Sequence, residues 1–315
     1  MTAYIIRRCI QSLVVVIGVT IIVFVILHLM PGGPARAMLG PRATPAQIHH
    51  FIVVNGYNKP IYVQYGHYLD KLIHGNLGYS YHFNLSVNAL LAQDLPKSAL
   101  LVGLSYIVAL IVAIPLGILQ AVRRNRPIDY TLTGAAFVGY SMPVFWLGIL
   151  LILGFSVSFH LFPPEGPQGA NVGAVIGQPL ALVLPVATLS IVTVALFSRF
   201  MRSSALENLV QDYIRTARAK GVSERSVLFR HMLRNSLIPV ITLIGLSLPF
   251  TLSGAVVVEQ VFNYPGMGLL FWHAATTKDY PVLLGFCVVV GVAAVVGSLL
   301  ADILYAVADP RVRYT

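Results

Sequence analysis

The stretch Asp212-Tyr-Ile-Arg-Thr-Ala-Arg-Ala-Lys-Gly-Val-Ser-Glu-Arg-Ser-Val-Leu-Phe-Arg-His231 lies between two apolar runs long enough to cross a membrane. It reads as a short helix, a glycine turn at Gly221, and a second helix opened by Ser223 as N-cap with Glu224 in its first turn. The wider segment Arg199 to Arg234 carries eight of the chain's 21 Lys and Arg residues. An ordered basic helix-turn-helix on a membrane protein, with no catalytic motif in it, points to docking.

Working outward, the 315-residue chain is 57% hydrophobic and 10% charged, with a mean hydropathy of +0.79. A soluble domain carries about 25% charged residues, so the composition describes a polytopic membrane protein. Six stretches meet the roughly 20-residue apolar requirement for a span: Cys9–Met30, Ser98–Val122, Thr133–Ser158, Leu180–Phe197, Ser236–Val258 and Val282–Leu304. Pro143 breaks the third, so a kink or a re-entrant start is expected there. With the N-terminus inside, fifteen Lys and Arg fall in cytoplasmic segments and six outside. This bias puts both termini in the cytoplasm and accounts for the net charge of +10 without a nucleic-acid partner. The N-terminus, with Arg7-Arg8 before an apolar run and Ala35-Arg-Ala37 after it, imitates a signal peptide. The run exceeds a cleaved h-region of about 7–15 residues and reads as an uncleaved first span.

The outer segment Pro31 to Lys97 is too long for a plain connection. Thr44-Pro-Ala-Gln47 is a capping-box helix start, Lys59-Pro60 opens a second helix ended by Gly75-Asn-Leu-Gly78, and Val87 to Leu95 reads as a third short amphipathic piece. Together they predict a small helical outer subdomain. The chain then divides into 1–30 (first span), 31–97 (outer subdomain), 98–198 (spans two to four), 199–235 (basic loop) and 236–315 (last two spans and C-terminus). The other outer loops are His160–Pro179 and Glu259–Pro281.

Several chemistries are missing from the sequence. There is no phosphate-cradling G-x-x-x-x-G-K-[ST], no H-E-x-x-H, no C-x-x-C and no G-x-S-x-G. Cys9 and Cys287 sit far apart in apolar runs and suggest neither a disulfide frame nor a metal site. His49, His50, His67, His74 and His82 cluster in the outer segment but match no compact ligand spacing. Asp302 is the one acid well inside a predicted span, close to the cytoplasmic end, where a structural hydrogen bond is the simpler role. An intramembrane hydrolase or transferase needs paired acids, a Ser/His set or a metal cluster at one depth. An ion-coupled carrier working alone needs several ionisable groups near midplane. Neither pattern is present.

The run Tyr213 to Pro239 resembles the cytoplasmic "EAA" loop of binding-protein-dependent ABC importer permeases, in the form found in the dipeptide/oligopeptide/nickel group and its B-type dipeptide permeases. The resemblance continues in order through Arg7-Arg8, Met30-Pro-Gly-Gly-Pro34, Ala43-Thr-Pro45, Gly75-Asn-Leu-Gly78, Ser141-Met-Pro143 with Phe145-Trp-Leu-Gly148, Leu184-Pro185, Glu259-Gln-Val-Phe262 with Pro265-Gly-Met-Gly268, and Asp309-Pro-Arg311. Arg215 and Thr216 stand where the general motif has Glu and Ala, which is the form of this subgroup. Gly33 stands where the family often has Asp, a departure the sequence alone does not explain.

The resemblance implies an all-α membrane protein of type I ABC importer permease fold, with six transmembrane helices and a helical insertion between the first two. It also implies a heterodimer with a homologous second permease, two ATP-binding subunits that hold ATP and Mg, and an extracytoplasmic solute-binding protein. No cofactor is expected on this chain, and its location would be a bacterial inner membrane. In that setting Tyr213, Arg215, Ala217, Arg218, Ala219, Lys220, Gly221, Ser223, Glu224 and Arg225 would form a coupling element docked on an ATP-binding subunit. Small Ala217 and Ala219 would let the partner approach, Gly221 would allow the turn, and the basic groups would meet acidic ones. Ser141, Pro143, Thr242, Ser247, Pro249, Thr251 and Ser253 are expected along a translocation path formed by spans three to five. Gly139, Gly148, Gly245 and Gly254 are expected to provide close packing or bending there. The outer subdomain, helped by Asn263–Tyr280, is the expected contact for the binding protein. The substrate expected is a di- or oligopeptide. A nickel chelate, glutathione or a haem-type ligand is the alternative, since the binding protein sets specificity in such systems.

Overall fold

The computed structural model describes residues 2–30, 32–40 and 42–308. Helix α1 (Thr2–Leu29) bends by 92° into α2 (Gly33–Leu39). Its lipid-facing side exposes Val14, Ile22 and other aliphatics, as a bilayer allows and water does not. The turn between the two helices uses positive φ at Gly32 (86°) and Gly33 (73°). Gly adopts this region freely and Asp tolerates it better than most residues, which gives the Gly33 departure a physical setting.

The outer subdomain contains α3 (Pro45–Val54) and α4 (Ile61–Ile73). The capping box expected at Thr44 is present. The Thr44 hydroxyl accepts from the Gln47 N–H at 3.3 Å, and Gln47 Oε1 accepts from the Thr44 N–H at 2.8 Å. Helix α4 lies on the outer end of α1 through Tyr65 Oη with Thr20 Oγ1 (2.9 Å) and Gln64 Oε1 with His28 Nε2 (2.8 Å). A two-stranded hairpin, β1 (Tyr79–Ser80) and β2 (Leu85–Ser86), closes the subdomain. Ser80 is fully buried and donates to the Asp279 carboxylate near the start of the last helix.

Val87 to Leu95 is not a separate piece. It is the first part of α5 (Val87–Val122), which runs unbroken into the second span. Ser86 caps it at 3.2 Å from the Ala89 N–H. Pro96 sits inside the helix at an exposed position and, having no N–H, leaves the Ala92 carbonyl without its helix partner. Lys97 is also no surface charge: it is 1% exposed and paired to Asp94 at 2.7 Å.

The third predicted span is two helices, α6 (Pro127–Ser141) and α7 (Val144–Leu151), the latter continued by a π-helical segment to Ser158. They meet at 105° across Met142-Pro143, the break expected from the proline. After the short α8 (Val172–Ile176), α9 (Pro179–Leu209) extends well past the predicted end of its span at Phe197. Its 31 residues span roughly 46 Å, against a hydrocarbon thickness of about 30 Å.

The basic loop folds as α10 (Asp212–Ala219) and α11 (Glu224–Ser226). A π-helical turn, Val227–Met232, then joins α11 to α12 (Leu233–Val261). Helices α13 (Met267–Thr277) and α14 (Tyr280–Ala308) complete the chain. Four of the described helices are long and apolar enough to cross a membrane, and six spans result when each bent pair is taken as one. Asp302, Ser247, Pro249, Thr251, Ser253 and Gly254 lie outside the residues whose side chains are described.

α5 packs lengthwise on α9, α12 on α9 and α14, and α1 on α14. Gly117 makes the first of these contacts possible: a Cβ there would lie 2.6 Å from Met201 Cβ and 2.8 Å from the Ser198 carbonyl. At the outer end Glu259 is fully buried. Its Oε1 accepts from Ser98 Oγ (2.5 Å), and its Oε2 accepts from the Gly268 and Leu269 N–H groups (2.6 and 3.2 Å). Ser98 Oγ in turn accepts from the Met267 N–H at 2.8 Å. The quoted Glu259 and Pro265-Gly-Met-Gly268 motifs are therefore one unit, in which an acid on α12 caps α13 against the start of span two.

Candidate functional site: a basic knob

Helix α10 ends in a Schellman turn. Gly221 sits at φ 74°, its N–H donates to the Arg218 carbonyl (3.0 Å), and the Val222 N–H donates to the Ala217 carbonyl (3.2 Å). Side chains three apart divide the helix into two faces. Ile214 (0% exposed) and Ala217 (7%) enter a core with Ile118 of α5, Met201 and Ala205 of α9, and Val227 and Met232 beyond the turn. Asp212, Tyr213, Arg215, Thr216, Arg218, Ala219 and Lys220 are exposed.

This corrects the reading of Ala217. It is small because the body of the protein packs on it, so only Ala219 of the two alanines is open to a partner. Ser223 occupies the N-cap position, but its hydroxyl makes no capping bond; only its carbonyl serves the helix, accepting from the Val227 N–H at 2.9 Å. Glu224 turns back instead. Its carboxylate accepts a forked pair of bonds from Arg218 Nε (2.8 Å) and Nη2 (3.2 Å), which ties the two helices across Gly221. Arg215 lies 3.5 Å from Asp212 on the exposed surface. Tyr213 Oη donates to Asn208 Oδ1 at 2.7 Å and fastens α10 to the end of α9. Lys220 and Arg225 are exposed. The loop is thus a compact knob, anchored by apolar groups on α5 and α9 and cationic outward.

The expected path residues are scattered. Ser141 and Pro143 are exposed at the α6–α7 bend. Thr242 commits its hydroxyl proton to its own helix, donating to the Ile238 carbonyl at 3.1 Å. Gly139 faces Ala195, and Gly148 lets α7 close on Val261 at the end of α12 and on Phe262 just after it, so both serve helix packing. The five outer histidines are all exposed, and among the described residues no three His, Cys, Asp or Glu side chains gather as a metal set.

Two features escaped the reading of the sequence. One is a cavity of about 380 Å³ beneath the outer subdomain, lined by Phe24, Phe51, Tyr57, Tyr68 and Lys71 among others. Burial pushes the Tyr57 and Tyr68 phenols up, so both stay neutral. The other is an ion pair on the stem of the knob. Asp129, 1% exposed in the first turn of α6, accepts from Arg202 Nε and Nη2 of α9, each at 2.8 Å. No spacing rule joins residues so far apart in sequence.

Residues 113–314 match the family described as binding-protein-dependent transport system inner membrane component, and residues 1–102 match the corresponding N-terminal component. The chain is 44% identical over 316 residues to the oligopeptide transport system permease protein AppB of Bacillus subtilis (strain 168), covering all of both chains. It is 40% identical over 319 residues to a putative peptide permease protein of Brucella suis biovar 1, again covering all of both. Among solved structures, the inward-facing MetNI methionine ABC transporter aligns with a TM-score of 0.56 at 15% identity, covering 70% of this chain and 96% of that one, a likeness of fold. The chain belongs to the family of binding-protein-dependent transport system inner membrane components.

Proposed function

We propose that this chain is one permease subunit of an ATP-driven ABC importer for di- or oligopeptides. It would pair with a homologous second permease, two ATP-binding subunits and an extracytoplasmic binding protein. The observation that carries this reading is the knob: Ile214 and Ala217 lock it to α5 and α9 while its cations face outward. A domain moving beneath the membrane needs a rigid handle of this kind, and a loop merely obeying the positive-inside bias would need no buried anchor. Closure of the ATP-binding pair would carry the knob with it and rock the spans about a central path, giving alternating access. Both termini then lie in the cytoplasm, as the charge bias suggests. The peptide assignment rests on the relatives' names.

The outer subdomain is proposed as the seat of the binding protein. Tyr62 (75% exposed) and Ile73 (82%) at the two ends of α4 leave apolar surface open, and a protein partner would cover it. The deciding experiment is reconstitution in liposomes with the second permease, the ATP-binding subunits and the binding protein, using radiolabelled tri-L-alanine and longer oligoalanines. Uptake should require ATP and every component. Uptake by this chain alone, driven by an ion gradient, overturns the proposal in favour of a secondary carrier.

A further inference from the structure

If the knob is the handle, its motion must pass from α9 into the neighbouring helices. α6 is joined to α9 in an unusual way. A partly open cavity of about 320 Å³ lies where α5, α6 and α9 meet, lined by small and aliphatic side chains such as Ala135, Ala136, Ile191 and Val194. Above it Gly139 meets Ala195, a Cβ there falling 3.5 Å from the Ala195 methyl. Below it the attachment is made by polar and cationic side chains. Arg202 grips the buried Asp129 with a two-pronged pair of bonds. Asn125, in the left-handed region at φ 60°, donates its backbone N–H to the same carboxylate at 3.1 Å. One turn back along α9, at the level of Gly139 on α6, the Arg199 guanidinium lies over the Phe137 ring at 4.5 Å and the Tyr140 ring at 5.7 Å. Gln120 of α5, 1% exposed, donates to Thr133 of α6 at 3.2 Å.

We propose that Asp129, held by Arg202, is the joint through which displacement of the knob passes from α9 to α6, and from there to the bend at Met142-Pro143. The inference rests on the docking role given to the knob. Its physical basis is stiffness. A forked Arg–carboxylate pair fixes both distance and orientation. The 1% exposure of Asp129 removes the water that would loosen it. The other attachments of α6 to α9, the Gly139–Ala195 contact and the stacking of Arg199 on Phe137 and Tyr140, do not fix both distance and orientation as the forked pair does. Asp129 and Arg202 are therefore positioning residues that sit apart from the docking surface and from the proposed path.

The test uses the complete importer in liposomes, with Cys9 and Cys287 replaced by Ser and spin labels on Tyr130→Cys and Ser203→Cys, both exposed positions flanking the joint. With the joint intact, the distance between the labels should stay within about 2 Å between nucleotide-free and ATP-trapped states. In Asp129→Asn the same pair should separate or broaden in one of the states. Basal ATP hydrolysis should persist in Asp129→Asn and Arg202→Gln, while its stimulation by loaded binding protein should fall about three- to thirtyfold. The reversed pair, Asp129→Arg with Arg202→Asp, should recover part of that stimulation, which a purely structural defect would not. Gly221→Trp separates the two layers of argument. If it leaves stimulation intact, the docking reading falls and the joint with it. If it abolishes stimulation while Asp129→Asn does not reduce it, the joint alone is overturned. Should the single variants fail to assemble, a change of more than about 3 Å between the labels in the unmutated pair overturns the proposal.

Discussion

Glu259→Ala tests whether the outer end of the bundle is held by a single carboxylate. The substitution removes the acceptor from Ser98 Oγ at 2.5 Å and from the Gly268 and Leu269 N–H groups at 2.6 and 3.2 Å. The serine hydroxyl can rotate toward another acceptor. The two amides in the first turn of α13 cannot, because Gly268 is buried and packed so tightly on the Val256 backbone that even a Cβ added to it would collide there, which leaves its own backbone no room to swing. Leaving a buried donor unpaired costs about 1–3 kcal/mol, and bonds to a charged acceptor fall in the upper part of that range. With the small void added, the loss is about 3–5 kcal/mol. At about 2–4 °C per kcal/mol for large chains, the midpoint of thermal unfolding in detergent should fall by roughly 6–20 °C. Glu259→Gln is the control. Its carbonyl oxygen can keep both amides while its NH2 faces Ser98, so it should lose only about 1 kcal/mol. An alanine variant within about 2 °C of the unmutated protein would refute the capping argument, because only unpaired amides make the loss large.

The local features of this fold were legible because local chemistry decides them. Thr44 and Gln47 announced their capping box, Pro143 announced the 105° break, and Gly221 announced a turn that requires positive φ. The sequence reading failed where a residue's neighbours are distant in sequence. Ala217 looked like a surface for a partner because its size was considered without its phase. Ile214 three residues earlier already places it on the inward face. Val87 to Leu95 looked like a separate short piece, yet Pro96 at an exposed position does not end the helix, which continues to Val122. Lys97 was counted among the outer charges, although Asp94, three residues before it, offered a pairing that the apolar setting then made obligatory. Glu259 was visible as part of a family motif, but its partners Ser98 and Gly268 come from another helix and from beyond a turn. Asp129 and Arg202 lie 73 residues apart and neither carries a local signal, so only the packing of α6 on α9 reveals them.

Three further outcomes follow from the geometry. Tyr62→Glu combined with Ile73→Glu, both at exposed positions on the outer subdomain, should raise the concentration of binding protein needed for half-maximal ATPase stimulation by about tenfold without loss of assembly; an unchanged concentration places the binding protein elsewhere. Gly221→Ala should fold, since no atom lies within 4 Å of the position a Cβ would take, but the positive φ should cost about 1 kcal/mol. Its effect should appear as faster amide exchange at Val222 and Ser223, and exchange equal to that of the unmutated protein would mean that the turn relaxes freely. Gly117→Ala is the severest of the three. A single methyl would lie 2.6 Å from Met201 Cβ and 2.8 Å from the backbone oxygen of Ser198, so a backbone rather than a flexible side-chain tip must give way. Spreading α5 from α9 at this level also loosens the core that Ile118 and Met201 share with Ile214 and Ala217 of the knob. Overpacking of this kind costs about 1–3 kcal/mol, and the cost should be accompanied by weaker retention of the ATP-binding subunits during purification. Normal retention together with normal thermal stability would show that the two helices can part without disturbing the knob, and that its anchorage on α5 is less rigid than the burial of Ile214 and Ala217 implies.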